Sequence, residues 1–350
     1  MRQLVPHAID SLAAEDTDSR VFRAEMLERL RRAVQFDWYA WVLTDPSTTV
    51  GVDPLAHVPD LADLPRVVRL KYLTRTNRWS SLDVAAALGG HAVDSPLWRE
   101  VQRAHGVVDV ASVVFRDRFG CWGFLDLWSK REYAAEDVAL LRQVAPAVTT
   151  ALRAHQARTL NVVATATGQR IGGPVVLLLD DDLSIVGQTA ASAEWLRVLL
   201  PQQGSTAPIP AGAYNVAAQL LARQDGVDEH EPMARTHLTD GFWVTLRASR
   251  VEPSELIAVT IEPTSPEHRL DVFSRANGLS QRERELLSLL AQGADTAEAA
   301  ARLFLSHHTV QDHLKSVFAK TGTHNRRVLL SHALGVRDER NDAEDGRRRG

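Results

Sequence analysis

Residues 300–322 read AARLFLSHHTVQDHLKSVFAKTG, and the spacing inside this stretch organises what lies on either side of it. Ser306 is a helix-capping residue type. Behind it Val310, Leu314, Val317 and Phe318 fall at i, i+4, i+7 and i+8, the period of one buried helix face. The helix before it, TAEAAARL at 296–303, is short and follows Asp295, with Glu298 three residues further on. Upstream, LSQRERELLSLLAQG at 279–293 has the same design. Ser280 and Glu283 form a capping box, Leu286, Leu289 and Leu290 supply the apolar face, and Gly293 the stop. A fourth helix, NRRVLLSHAL at 325–334, closes the unit. A short helix, a tight turn and a longer helix with a polar outer face have the geometry that enters a DNA major groove.

The same stretch holds three histidines, which raises a metal site as a rival. His308 and His313 are five apart, whereas two ligands on one helix face need a spacing of four, so no metal is expected. His313 lies between the core-facing Val310 and Leu314 and is expected to be packed or internally bonded. His307 and His308 sit at the helix start, where an imidazole donates to a phosphate or faces water.

Over about 57 residues these motifs resemble the LuxR-type DNA-binding domain. The elements that carry the resemblance are LSQRERELLSLLAQG, AARLFLSHHTVQDHLKSVFAKTG and the NRR that opens the last helix. The resemblance implies base-edge contacts from Gln311, Asp312 and Lys315, and backbone contacts from Thr309 and Lys320. It makes Glu283 an internal polar anchor. Ser306, His308, Ser316 and Arg326 complete the candidate DNA-binding set. Ala299 stands where the family usually has isoleucine, and Thr321 where leucine is common. Both shrink the small core without touching the reading face. Residues 279–335 hold seven Arg/Lys (Arg282, Arg284, Arg302, Lys315, Lys320, Arg326, Arg327) against five Asp/Glu (Glu283, Glu285, Asp295, Glu298, Asp312). The unit is therefore mildly cationic although the chain carries a net charge of -4, and its affinity for DNA should fall with salt.

Working outward, the first segment opens with Phe22, Met26, Leu30 and Val34 at four-residue intervals, followed by the strand-like DWYAWVLTD. ASVVFRDRFGCWGFLDLWS reads as two strands around a turn at 117–120. YAAEDVALLRQVAPAVTTALRAH reads as a long helix with Leu141, Val144, Val148 and Leu152 on one stripe, kinked at Pro146. This order resembles a GAF domain over residues 18–157, without the polar motif of the cyclic-nucleotide-binding branch. GPVVLLLDDDLSIVGQTAASAEWLRVLL gives strand, acidic turn, strand and a helix bearing Trp195, Leu196 and Leu199. With GFWVTLRASRVE and ELIAVTIEP as later strands it resembles a PAS domain. A phosphoacceptor receiver is the rival, but that chemistry needs a lysine, and none lies between Lys130 and Lys315. The expected organisation is α+β and multidomain: a GAF-like sensor at 1–157, a PAS-like sensor at 170–262, both α/β, a linker at 263–277, an all-α four-helix LuxR-type domain at 278–335, and a charged, disordered tail at 336–350.

The remaining features exclude more than they assign. A single cysteine, Cys121, permits neither an internal disulfide nor a multi-cysteine zinc site and suits a reducing cytoplasm. No signal peptide and no run of about 18 apolar residues are found, so a cytoplasmic protein without a membrane partner is expected. There is no nucleophile elbow, phosphate-binding glycine loop or metalloprotease pair. HEPMARTH spaces its histidines too far apart, so neither enzyme activity nor a cofactor is expected. The eight tryptophans are read as core ahead of pocket lining. The expected partners are double-stranded DNA, a second copy of the chain as a homodimer, an unknown small-molecule effector and RNA polymerase. Two alternatives stand beside this: a dimeric interaction scaffold that senses nothing, and a sigma-factor-like unit. The latter shares RERE but lacks the preceding promoter-melting segment.

Overall fold

In the computed structural model the described residues are 18–161, 175–192, 195, 211–239 and 241–335. They fall into two compact units. The first comprises 18–155, 175–236 and 244–262, and the second comprises 156–161, 237–243 and 263–335, each less its undescribed positions.

The first unit holds one five-stranded sheet and most of a second. Its chain begins with α1 (Ser19–Arg31), β1 (Trp38–Thr44), β2 (Gly51–His57) and α2 (Leu64–Leu73). It continues through β3 (Ala85–Ala87), α3 (Pro96–Glu100), β4 (Asp109–Asp117), β5 (Gly120–Ser129) and α4 (Ala135–Leu160). The sheet order is β2-β1-β5-β4-β3. Trp41, Trp79, Trp122 and Trp128 are buried in this region, and Trp41 stacks on Phe115 and Trp79 on Phe124. Tryptophans placed so deeply act as core. The expected hairpin around 117–120 is present, pairing Val110 with Trp128 and Asp117 with Gly120. Helix α4 runs unbroken through Pro146. Its buried stripe of Leu141, Val144, Val148 and Leu152 holds the helix where a proline would otherwise interrupt it.

The second sheet comprises β6 (Val175–Leu179), β7 (Ile185–Gln188), β8 (Met233–Thr239), β9 (Phe242–Arg250) and β10 (Ile257–Pro263), with α5 (Ala211–Gln224) before β8. Its order is β7-β6-β10-β9-β8. Renumbered from its own first strand this is 2-1-5-4-3, the order of the first sheet, a repeat that no sequence period announces. Val175, Leu177 and Leu179 alternate inward against Ile257, Val259 and Ile261 on β10. Of the helix read at Trp195, Leu196 and Leu199, only Trp195, which is buried, is among the described residues. The expected tail at 336–350 also lies outside them.

Two buried ion pairs join the sheet regions within this unit. Asp45, in the turn after β1, receives both the Nε and Nη2 of Arg235 on β8 at 2.6 and 2.8 Å, and the Arg235 backbone N–H at 2.9 Å. Neither side chain is more than 2% exposed. Asp228 accepts from Arg78 at 2.8 Å, from Ser80 at 2.7 Å and from Gln219 at 3.2 Å.

In the second unit, residues 263–277, expected as a linker, contain helix α6 (Pro266–Ala276). Ser265 caps it, Pro266 sits at the first position where its missing N–H costs nothing, and Val272, Phe273 and Ala276 are buried. Arg269 on this helix is buried and donates to the carbonyls of Leu160, Gly241 and His332. Helices α7 (Gln281–Ala291), α8 (Thr296–Leu303), α9 (His307–Thr321) and α10 (Arg326–Leu334) follow, the four that the sequence predicts. Among the described residues no helix is long and apolar enough to cross a membrane.

Candidate nucleic-acid interface

Local chemistry starts each helix of the candidate site. The Ser280 hydroxyl accepts from the Glu283 N–H while the Glu283 carboxylate accepts from the Ser280 N–H, and Asp295 and Glu298 repeat the arrangement. Ser306 caps α9 by accepting from Thr309 N–H at 3.1 Å, and its hydroxyl lies 2.8 Å from that of Thr309. Between α8 and α9 the chain turns through Phe304, whose φ of 56° is left-handed and whose side chain is 95% exposed. Leu286, Leu290, Ala299, Leu303, Val310 and Leu314 form the core, with Leu305, Phe318 and Leu330 packed against it. Ala299 is fully buried, and Thr321 satisfies its hydroxyl on the Val317 carbonyl at 2.8 Å and the Thr323 hydroxyl at 2.8 Å.

Helix α9 has two opposed stripes. Val310, Leu314, Val317 and Thr321 are buried. Two positions out of phase, and so on the opposite side, His308, Asp312, Lys315 and Ala319 are exposed at the same i, i+4, i+7, i+11 spacing. Asp312 sits at the centre of the outer stripe, 3.4 Å from Lys315 Nζ and 3.6 Å from His308 Nε2. Gln311 and Thr309 are half-buried at its borders. A row of accessible donors and acceptors on one rigid helix can probe the edges of successive base pairs. Of the exposed stripe, Ala319, whose methyl offers only an apolar contact, is absent from the sequence-read set. Counting the exposed period onward from Lys315 would have found it.

Ser316, Lys320 and Arg326 have partners inside the domain. Glu283 is buried on α7, and burial by itself would push its carboxyl upward. Hydrogen bonds from Lys320 at 2.6 Å and 2.8 Å, from Ser316 at 2.6 Å and from the Ser280 N–H outweigh that and hold its pKa at about 2. Glu283 is thus the internal anchor that the sequence suggested. Arg326 donates to the carbonyls of Leu290 and Ala294 at 3.3 and 2.7 Å, covering the C-terminal end of α7. These three side chains orient α7, α9 and α10. His313 is half-buried, and among the described residues no group of three or more His, Cys, Asp or Glu converges as a metal site.

Residues 277–333 match the family model of bacterial regulatory proteins of the luxR family. The chain is 42% identical over 56 residues to the spore germination protein GerE of Bacillus subtilis, covering 16% of this chain and 76% of GerE. It is 33% identical over 115 residues to the probable transcriptional regulatory protein SgaR of Hyphomicrobium methylovorum, covering 31% of this chain and 53% of SgaR, so it spans about half the length of that relative. Among solved structures it is similar to Escherichia coli SdiA at 13% identity, covering 91% of this chain and 92% of that one. The TM-score of 0.32 marks a loose superposition.

Proposed function

The chain belongs to the LuxR family of bacterial regulatory proteins, and from that premise we propose that it regulates transcription by reading double-stranded DNA with α9, under the control of its sheet-bearing unit. The observation that carries this reading is the exposed stripe of His308, Asp312 and Lys315, set opposite a buried stripe that fixes the helix's rotation on its domain. Gln311 and Thr309 border the reading face, and Ser306 starts the helix where its N–H groups meet phosphate. Ser316, Lys320 and Arg326 act from behind by holding α9 and α10 in place.

The two sheets are read as GAF-like and PAS-like sensor modules, a reading that their common strand order supports. A small-molecule effector is the expected input. A homodimer is the expected reading form, since helix-turn-helix dimers place two recognition helices about one helical turn of DNA apart. RNA polymerase is the expected downstream partner and the cytoplasm the expected compartment.

Selection of bound sequences from a randomised duplex library by the full-length chain tests the proposal. Enrichment of a two-fold related motif, with affinity that falls steeply as salt rises, is expected. Binding that shows no preference among sequences would remove the regulator reading.

A further inference from the structure

The outer stripe of α9 places an acid where it will face a polyanion. Asp312, 55% exposed at its side chain, lies between His308 and Lys315, which are 85% and 74% exposed. A carboxylate accepts hydrogen bonds and donates none, so of the base atoms that line the major groove only an amino group can pair with it. The base edges restrict the choice. Guanine offers O6 and N7 and thymine offers O4, all acceptors that repel it. Adenine sets its N6 amino beside an N7 acceptor. Cytosine presents the N4 amino group with no acceptor of its own next to it in that groove. Lys315, a pure donor, needs the reverse and finds it at guanine O6 and N7.

The two side chains are one turn apart on one face, with Nζ and Oδ1 separated by 3.4 Å. A donor and an acceptor held side by side complement the guanine O6 and cytosine N4 that lie side by side across a single G·C pair. We infer that Lys315 and Asp312 together read one G·C base pair in each half-site, with Lys315 on guanine and Asp312 on cytosine. This inference rests on the DNA-reading proposal and adds base identity to it. Asp312 is then the specificity-determining residue. Its charge gives up attraction to DNA in general and penalises every pair except the one that supplies cytosine at that place.

Library selection with the full-length chain and with the Asp312→Asn variant tests it. The wild-type motif should hold one invariant G·C pair, and replacing that pair with A·T should weaken binding roughly tenfold to a hundredfold. Asp312→Asn keeps the shape but gains donors, and an asparagine pairs with adenine N6 and N7. Preference at that one position should move toward A·T while the rest of the motif is unchanged. Lys315→Ala should weaken the preference for G·C there, since Asp312 still accepts from cytosine, without gaining one for A·T. Both side chains are exposed, so far-UV circular dichroism should be the same for all three proteins. An Asp312→Asn protein that still demands G·C at the same position overturns the base assignment while leaving the regulator reading intact. A wild-type chain that enriches no motif overturns both.

Discussion

The sheet-bearing unit and the four-helix domain bury charge in different ways. In the sheet unit Asp45 and Arg235, 190 positions apart, meet with neither side chain more than 2% exposed, and Arg78 reaches Asp228 across 150 positions. In the helical domain Glu283 is held by the adjacent Ser280 cap and by Ser316 and Lys320, 33 and 37 positions on, with Lys320 still 36% exposed. The first arrangement makes two sequence-distant sheets depend on each other. The second pins α9 to its immediate scaffold. Long-range burial ties large pieces together at high cost if one partner is lost, whereas the local clamp keeps a small domain rigid for modest stakes.

The largest effect should come from Arg235→Met. It strands the buried Asp45 carboxylate and should destabilise the sheet unit by about 3–5 kcal/mol. Urea unfolding followed by tryptophan fluorescence reports mainly on this unit, because seven of the eight tryptophans lie in it and none lies within residues 278–335. An unchanged midpoint would mean that water reaches the pair and the burial argument is wrong. Asp45→Asn combined with Arg235→Met should recover a good part of the loss, since the neutral amide leaves no buried charge and its oxygen still accepts from the Ser47 and Thr48 N–H groups.

Glu283→Gln should cost the helical domain about 1–3 kcal/mol, the range for leaving polar partners without a charged acceptor. The wild-type carboxyl titrates at about 2 when folded against an ordinary value of 4.5. A depressed folded pKa stabilises fully above the unfolded value and loses that stability as the pH falls through the folded one. The Glu283 contribution should thus be complete above about pH 4.5 and fade toward pH 2. Far-UV melts across this window should show a shallower acid dependence in the variant, and parallel curves for both proteins would argue against the clamp.

Ser306→Ala should remove about 1 kcal/mol by leaving the first N–H groups of α9 without a side-chain acceptor. A drop in the melting midpoint with unchanged tryptophan emission is the expected signature. The smallest effect runs the other way. Phe304→Gly should stabilise the domain by roughly 0.5–1 kcal/mol, because a φ of 56° strains any residue with a Cβ and the exposed ring packs on nothing that would be lost. If this variant were instead destabilised, the phenylalanine would have a covering partner.

The same contrast explains what the sequence made legible. Caps, periodicity and stops act within a few residues, so Ser280 with Glu283, Ser306, and Val310 with Leu314 foretold α7 and α9. Strands β6, β9 and β10 were read from the order of segments that resembles a PAS domain. The pairing of Asp45 with Arg235 carries no spacing signal, because tertiary topology alone brings β8 to the turn after β1. The shared 2-1-5-4-3 order was hidden for a similar reason: topology repeats here while side chains differ, four fully buried tryptophans in one core and mainly aliphatic residues beside Trp195 and Trp243 in the other. At the candidate site, the family resemblance put Lys320 on the DNA backbone, and Ser316 and Arg326 were read into the DNA-binding set. Only the folded neighbours reveal that Glu283 and two carbonyls already engage them. Helix α6 escaped notice because Pro266 and its polar surroundings imitate a connector.

Arg269 has a consequence for anyone who would move the four-helix domain into another protein. One planar guanidinium grips the carbonyls of Leu160, Gly241 and His332, contributed by three separate passages of the chain. A Cβ on Gly335 would lie 2.6 Å from its Nε, so the end of the last helix is shaped around that grip. A cassette excised at the start of α6 would carry the arginine away from two of those three carbonyls, and one begun at Asp271 would discard it altogether. The portable piece is therefore not a contiguous stretch of sequence, and chimaeras joined at the apparent domain border should melt lower than the parent even with all four helices α7 to α10 in place.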